Sequence, residues 1–253
     1  MNLELCLSPG GRFYLVESEA ADAPQPENAA ARWSKAFGAS AAEGFLLLAG
    51  CNEPLTSSLA FARAYARRYL TALCHAPRET ANDFPDVPFP AGDWDSWLES
   101  APPFRGSESF DAARAAALWN EIDAAARQAV AAKGLDAFLH ALGPAWRAVG
   151  RVTFHLAENK KNPERPFAFM VTYASRVSDI GRVQHLPLKR ALNANAGAQN
   201  REALLRLLEP IQRAVEQSVF VKELFESGRI YQPLAWTACD AYRFLRDIPA
   251  LEA

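Results

Sequence analysis

Apolar residues recur along this chain with two spacings, and each spacing predicts a different secondary structure. A period of two places side chains alternately on the two faces of a strand. It occurs in residues 3–7 and 13–15, on either side of a Pro-Gly-Gly turn, and predicts an N-terminal β-hairpin. It is strongest in residues 152–156 and 167–173, which predicts a long hairpin with residues 158–166 at its tip.

A spacing of three to four residues, combined with capping residues, predicts the helices. These run from about 29 to 37, from Thr56 or Ser57 through Leu73, from Phe110 to about 132, from Leu135 to about 148, from a cap at Asn200 through Val215, from Val219 to Gly228, and from a cap at Thr237 through Leu245. Pro210 is expected to kink or divide one helix, and Pro249 to end the last. The short apolar run 45–50, closed by glycine, predicts a buried strand.

Two further segments are predicted to be connections. Residues 21–28 are polar and form a linker, and residues 77–108 hold six prolines, which excludes most regular structure. Aromatic residues lie among those prolines, so the second connection should pack onto the body of the protein. The predicted class is α+β, with short antiparallel strands and hairpins packed with several helices and a helical C-terminal part. We divide the chain into residues 1–150, which include the proline-rich loop, and residues 151–253.

Composition places the chain among globular proteins of the cytoplasm. With 253 residues, half of them hydrophobic, it can bury a sizeable core. No apolar run approaches the roughly 20 residues of a membrane helix, and the N-terminus lacks the features of a secretory signal. The four cysteines form no Cys-x-x-Cys pair, which favours reduced thiols.

Charge is distributed unevenly although the net charge is only −2. Residues 1–150 carry 12 basic against 18 acidic side chains, whereas residues 151–253 carry 15 against 11. Clustered Lys and Arg attract phosphate backbones. The predicted nucleic-acid contacts are Lys160, Lys161 and Arg165 at the hairpin tip, followed by Arg176, Arg182, Lys189 and Arg190 in one loop-rich segment. An ordinary solvated surface is the alternative interpretation of the same charges.

Patterns typical of an active site fail on context. No Gly-x-x-x-x-Gly-Lys-Ser/Thr loop is present, so this chain should not hydrolyse ATP. Ser40 lies in a Gly-x-Ser-x-Ala sequence, but a helix is predicted before it and a strand after it, the reverse of a nucleophile elbow. The four histidines lack metal-ligand spacing. Asp93 and Asp95 are more typical of a solvated loop than of an acid/base pair. We therefore predict no catalytic residue and no metal site.

The last hundred residues resemble the accessory region that precedes the motor in bacterial SWI/SNF-family helicase-like ATPases. The segments that carry the resemblance are Phe154-His-Leu-Ala-Glu-Asn-Lys160, Pro166-Phe-Ala-Phe-Met-Val-Thr-Tyr173, His185-Leu-Pro-Leu188, Tyr231-Gln-Pro-Leu-Ala-Trp236 and Ala241-Tyr-Arg-Phe-Leu-Arg-Asp247. Residues 1–150 match only loosely. The resemblance implies a parent protein that is a DNA-dependent ATPase, with its ATP- and Mg-binding lobes further along the chain and beyond Ala253.

Three hypotheses of function follow. The first is a non-catalytic accessory domain without its own cofactor, which docks on the downstream ATPase motor and contacts duplex DNA. The second is a protein-interaction or regulatory domain without nucleic-acid contact, in which the acidic, aromatic-rich loop 83–104 engages a partner. A free-standing enzyme is the third, and it has the least support because no catalytic motif survives.

Overall fold

The computed structural model describes residues 2–18, 25–76, 84–90, 94–178, 180–195 and 201–251. The predicted α+β class is confirmed, since helices predominate and the strands form small antiparallel sheets. In chain order the elements are β1 (Asn2–Leu7), β2 (Phe13–Ser18), α1 (Glu27–Ala39), α2 (Ala41–Gly50), α3 (Ser57–His75), α4 (Trp94–Glu99), α5 (Ala112–Lys133), α6 (Leu135–Leu142), α7 (Pro144–Ala148), β3 (Val152–Glu158), β4 (Phe167–Val177), β5 (Val183–Pro187), α8 (Leu188–Asn195), α9 (Arg201–Gln217), α10 (Val219–Glu226), β6 (Leu234–Trp236) and α11 (Ala238–Leu251).

Contacts divide the chain into two compact units. The first unit comprises residues 1–147 together with 177–182, and the second comprises residues 148–176 and 183–253. The sequence-based boundary at residue 150 assigns residues 177–182 to the second part of the chain, whereas the contacts assign them to the first unit. Parts of the predicted linker and of the proline-rich loop, as well as the predicted cap Asn200, lie outside the described residues.

In the first unit, the predicted hairpin pairs β1 with β2, and side chains complete the backbone hydrogen bonding of β1. The amide of Leu3 donates to Gln25 Oε1 at 2.9 Å, and the amide of Leu5 donates to Ser58 Oγ at 3.0 Å. The hydroxyl of Thr56 donates to Leu3 O at 2.9 Å. Thr56 is the N-cap residue of α3, but its side chain makes no cap hydrogen bond because it serves the strand instead.

The strand predicted at residues 45–50 is wrong, because this run belongs to α2. A short apolar run that is buried on all sides has no period that separates strand from helix. The cap decides between them: Ser40 Oγ accepts from the amide of Glu43 at 3.1 Å and starts the helix. Close packing requires the glycine at its end, since a Cβ on Gly50 would lie 2.2 Å from Leu142 O.

The proline-rich connection packs against α3 and α5, as expected. Trp97 stacks on Phe61 with ring centroids 4.6 Å apart, and Phe89 stacks on Trp94 at 4.5 Å. The indole of Trp119 in α5 donates to Val87 O at 2.8 Å. The short helix α4 lies within this connection, so regular structure is interrupted there rather than absent.

Arg67 of α3 is the centre of a buried polar network in the first unit. It is only 5% exposed, and its guanidinium donates to Ala49 O at 3.0 Å, to Cys51 O at 2.9 Å and to Asn52 Oδ1 at 3.1 Å. It also donates to Ser178 O at 2.6 Å. One side chain therefore satisfies carbonyl groups that are far apart in sequence, which a buried position requires.

The second unit is a four-stranded antiparallel sheet packed with α8 to α11. Its strand order is β3-β4-β5, and β6 pairs with β4 as well. The register places Phe154 opposite Val171 and Phe169 opposite Leu234. These side chains belong to the inner face, where Trp236 stacks on Phe169 with centroids 4.0 Å apart and the helices complete the core.

The prediction that Pro249 ends the last helix is wrong, and of the two outcomes predicted for Pro210, a kink or a division, the division is wrong. The helix α9 is not divided at Pro210, and α11 continues past Pro249 to Leu251. Proline removes one helical hydrogen bond, but burial of Ile211 in α9 and packing of Leu251 in α11 against the core favour continuation. The start of α11 is as predicted, because Thr237 and Asp240 form a reciprocal capping pair.

Candidate nucleic-acid interface

The hairpin tip (residues 158–166) is a turn closed by its own backbone and asparagine groups. The amide of Asn159 donates to Pro166 O at 2.7 Å, and the amide of Arg165 donates to Asn162 Oδ1 at 3.1 Å. Between them Lys160, Lys161 and Arg165 are all exposed, with the Lys160 side chain at 81% of its full accessibility. The predicted tip cations are therefore grouped on one solvent-facing turn.

Acidic residues partly compensate the charge of this tip. Glu158 and Glu164 reduce its formal charge from +3 to +1. Lys160 Nζ lies 3.8 Å from a Glu158 carboxylate oxygen, and both side chains are more than half exposed. An exposed pair of this kind is worth less than about 1 kcal/mol, so a phosphate can replace the carboxylate at little cost.

The other four predicted residues lie outside the hairpin tip. They were expected in a loop-rich segment, but Arg176 lies in β4, Arg182 in the following turn, and Lys189 and Arg190 in α8. All four are exposed. Arg176 Nε donates to Gln184 Oε1 at 2.8 Å. Since strands rise about 3.3 Å per residue, Arg176 lies about 30 Å along β4 from the tip, and the predicted patch is split.

A pair of histidines that sequence analysis treated as separate meets on the outer face of the second unit's sheet, opposite its helices. His155 Nε2 lies 2.6 Å from Thr172 Oγ1, and His185 Nδ1 lies 3.0 Å from the same oxygen. The rings are 5.4 Å apart between centroids and nearly perpendicular. Thr172 is 2% exposed. Its buried hydroxyl lies between the two imidazoles.

Burial and the neighbouring ring lower the pKa of one member of this pair, His155. Desolvation, followed by repulsion from His185, lowers the pKa of His155 below its usual value. A hydroxyl has one proton to donate and lone pairs to accept, so it can join two neutral imidazoles of complementary tautomer.

Sequence reasoning missed this pair because β5 was not recognised as a strand. The alternation in β3 already placed Thr153 and His155 on the face opposite Phe154. His185 lies in a five-residue strand that ends in proline, which carries no clear periodic signal. The neighbouring strand β4 supplies Thr172, and only the pairing of strands brings the three side chains together.

The other side chains considered for chemistry have structural roles or lie elsewhere. Ser40 stands between α1 and α2 and caps α2, so the residues that follow it are a helix and not the predicted strand. Asp93 lies outside the described residues. Within the described part of the chain, no group of three or more His, Cys, Asp or Glu side chains is placed to hold a metal ion.

Comparison of the chain with protein-family models, with curated proteins and with solved structures returns no match. No helix in the described ranges combines the length and apolar character that crossing a membrane requires. Inferences about function therefore depend on the geometry of the second unit and on the sequence segments that it contains.

Proposed function

We propose that this chain is a non-catalytic accessory domain of a SWI/SNF-type DNA-dependent ATPase, and that its hairpin tip contacts the DNA backbone. The observation that carries the proposal is the grouping of Lys160, Lys161 and Arg165 on one exposed turn. Such a turn can reach a phosphate backbone without reading base sequence.

The placement of the family-like segments supports the same proposal. Residues 154–160 and 166–173 form β3, the tip and β4, residues 231–236 include β6, and residues 241–247 lie in α11. All of them belong to the second unit. Their apolar members form its core, as Phe169, Trp236 and Phe244 do. The resemblance thus concerns the residues that build one domain and present its tip.

We propose that this chain contributes shape and charge to the parent protein and catalyses no reaction itself. ATP and Mg would be bound by the motor of the parent protein, and this chain would dock on that motor in the cytoplasm. The four cysteines are free, which fits a reducing compartment.

The salt dependence of DNA binding tests the proposal. Each phosphate contact contributes about −0.9 to the slope of log affinity against log salt concentration. We expect Lys160→Ala/Lys161→Ala to make this slope shallower by about two and to weaken binding to duplex DNA at low salt. Gel shifts at several salt concentrations, with duplexes of unrelated sequence, measure both quantities.

A matched control keeps the loss of charge constant. Lys222→Ala/Arg229→Ala removes two exposed cations from α10 and the turn after it, and it should leave the slope unchanged. Equal effects of the two double variants would show that DNA responds only to net charge. If the unmodified chain did not bind duplex DNA at low salt, the proposed DNA contact would be wrong.

A protein-interaction domain without nucleic-acid contact is the second candidate. The loop that suggested it carries its aromatic rings inward, with Trp94 only 6% exposed, so that loop does not present them. The helix α11 offers a better surface, since Tyr242 and Leu245 are 67% and 49% exposed and lie three residues apart. If this candidate is right, Tyr242→Ser/Leu245→Ser should abolish capture of a protein partner in a pull-down, the tip variant should preserve that capture, and the unmodified chain should bind no duplex DNA at low salt.

A further inference from the structure

A cavity of about 450 Å³ lies within the second unit, between the start of β3, the second half of α9 and the end of α11. Its size is in the range of sites that hold small molecules. The described residues that line it all belong to the second unit. It contains none of the tip cations and neither of the paired histidines.

The described lining of this cavity includes two arginines and one glutamine. Arg151, Arg213 and Gln217 supply two guanidinium groups and one carboxamide. None of the described residues that line it is acidic. Guanidinium groups bind carboxylate and phosphate oxygens through paired N–H donors, and a carboxamide N–H can supply a further one.

The rest of the lining is apolar and held in place. It includes Val152, Phe154, Pro210, Ala214 and Leu251. Phe154 is fixed by a stacked contact with Phe169, at 6.1 Å between ring centroids, and by a tilted contact with Phe244 at 5.9 Å. An aromatic wall backed by the core needs little reordering when a flat apolar group packs on it.

We propose that this cavity binds a small organic anion, namely a carboxylate or phosphate monoester joined to an apolar or aromatic body. The anionic group accepts hydrogen bonds from Arg151, Arg213 and Gln217, and the body packs on Phe154, Pro210 and Leu251. This pairing of charged head and apolar body follows from the two kinds of lining, and it is independent of DNA contact at the hairpin tip.

Glu209 competes with the ligand for Arg213. The two side chains form an i,i+4 ion pair on α9, and both are more than half exposed, at 58% and 72%. Exposed pairs of this type are weak, so an anion in the cavity can displace the carboxylate. Removing Glu209 should therefore strengthen binding.

The test uses 2-naphthyl phosphate and 2-naphthoate as probes in isothermal titration calorimetry with the full chain. We expect at least one to bind with a dissociation constant below about 1 mM, the weak end of specific association. Arg213→Gln should weaken that binding by about tenfold or more, as loss of a charged hydrogen-bond donor does. Glu209→Gln should tighten it by about twofold to fivefold, the worth of an exposed ion pair.

Controls distinguish binding in the cavity from nonspecific binding to the protein. Arg229→Gln removes an exposed arginine outside the cavity and should bind the probe as tightly as the unmodified chain does. Circular dichroism verifies the folding of each variant. The relative affinity of the two probes identifies the preferred head group. The proposal is overturned if neither probe binds, if uncharged 2-naphthol binds as tightly, or if Arg213→Gln and Arg229→Gln are equivalent.

Discussion

The two units of this protein place prominent cationic side chains in opposite environments. In the first unit Arg67 is buried among carbonyl groups, and the guanidinium of Arg68 lies 4.7 Å from the centre of the Trp97 ring. In the second unit Lys160 and Lys161 extend from an exposed turn. Similar residue types are therefore buried in one unit and exposed to solvent in the other, and the position in the fold decides which.

The largest effect is expected in the first unit, from Arg67→Met. This change leaves several buried acceptors without a donor, and each unsatisfied group costs about 1 to 3 kcal/mol. The free energy of unfolding should fall by about 3 kcal/mol or more, measured by urea unfolding followed through tryptophan fluorescence. Five of the six tryptophans lie in the first unit, so this signal reports on it.

Arg32→Met is the matched control, because Arg32 lies in the same unit with a side chain that is 56% exposed. It should change stability by less than about 0.5 kcal/mol. If Arg67→Met and Arg32→Met had the same free energy of unfolding, buried Arg67 would contribute no more to stability than exposed Arg32.

Two threonines that precede helices sharpen the comparison at a smaller scale. Thr56 is 2% exposed and serves the buried Leu3 carbonyl, whereas Thr237 is exposed and pairs with Asp240. Thr56→Val should destabilise by about 1 to 2 kcal/mol, and Thr237→Ala by about 1 kcal/mol as loss of a helix cap. Thermal and urea unfolding check the order, which a larger effect of Thr237→Ala would contradict.

The pH dependence of stability tests the histidine pair of the second unit. The pKa of His155 is lowered by folding, so below about pH 6.5, the ordinary histidine value, the unfolded state binds more protons than the folded state. Stability contributed by neutral His155 should be lost as pH falls from that value toward the lowered pKa. Unfolding measured between about pH 5 and 8 should show this decline.

His155→Gln should flatten the decline, whereas His140→Gln, at an exposed position of α6, should preserve it. A decline that is the same in both variants would assign it to other groups. The quantity that tests this prediction is the sign of the change, namely a loss of stability as pH falls.

The smallest effect is expected for the hairpin tip. Lys160→Ala/Lys161→Ala removes exposed side chains without buried contacts, so the free energy of unfolding should change by less than about 0.5 kcal/mol. A larger loss, seen in urea unfolding, would mean that the tip is part of the structural framework and not a free binding surface.

The elements that could be predicted from sequence are those with a strong local signal. Alternation predicted the β1–β2 and β3–β4 hairpins, and a capping pair predicted the start of α11 at Thr237. Each depends on neighbours a few residues apart, where side-chain period and capping chemistry act directly. The positions of the exposed tip cations followed from the same local pattern.

Tertiary structure decided whatever local signals left ambiguous. The apolar pattern of residues 45–50 fits strand or helix, and the folded structure places them in α2, behind the Ser40 cap. Pro249 did not end α11 because residues beyond it pack on the core.

The meeting of His155 with His185, and the cavity with Arg151 and Arg213, join side chains that are 30 and 62 residues apart. The amino-acid sequence by itself determined the local periods, the caps and the exposed charge of the tip. Strand pairing and helix packing decided which distant groups became neighbours, because those contacts depend on burial of a shared core and leave no periodic trace along the chain.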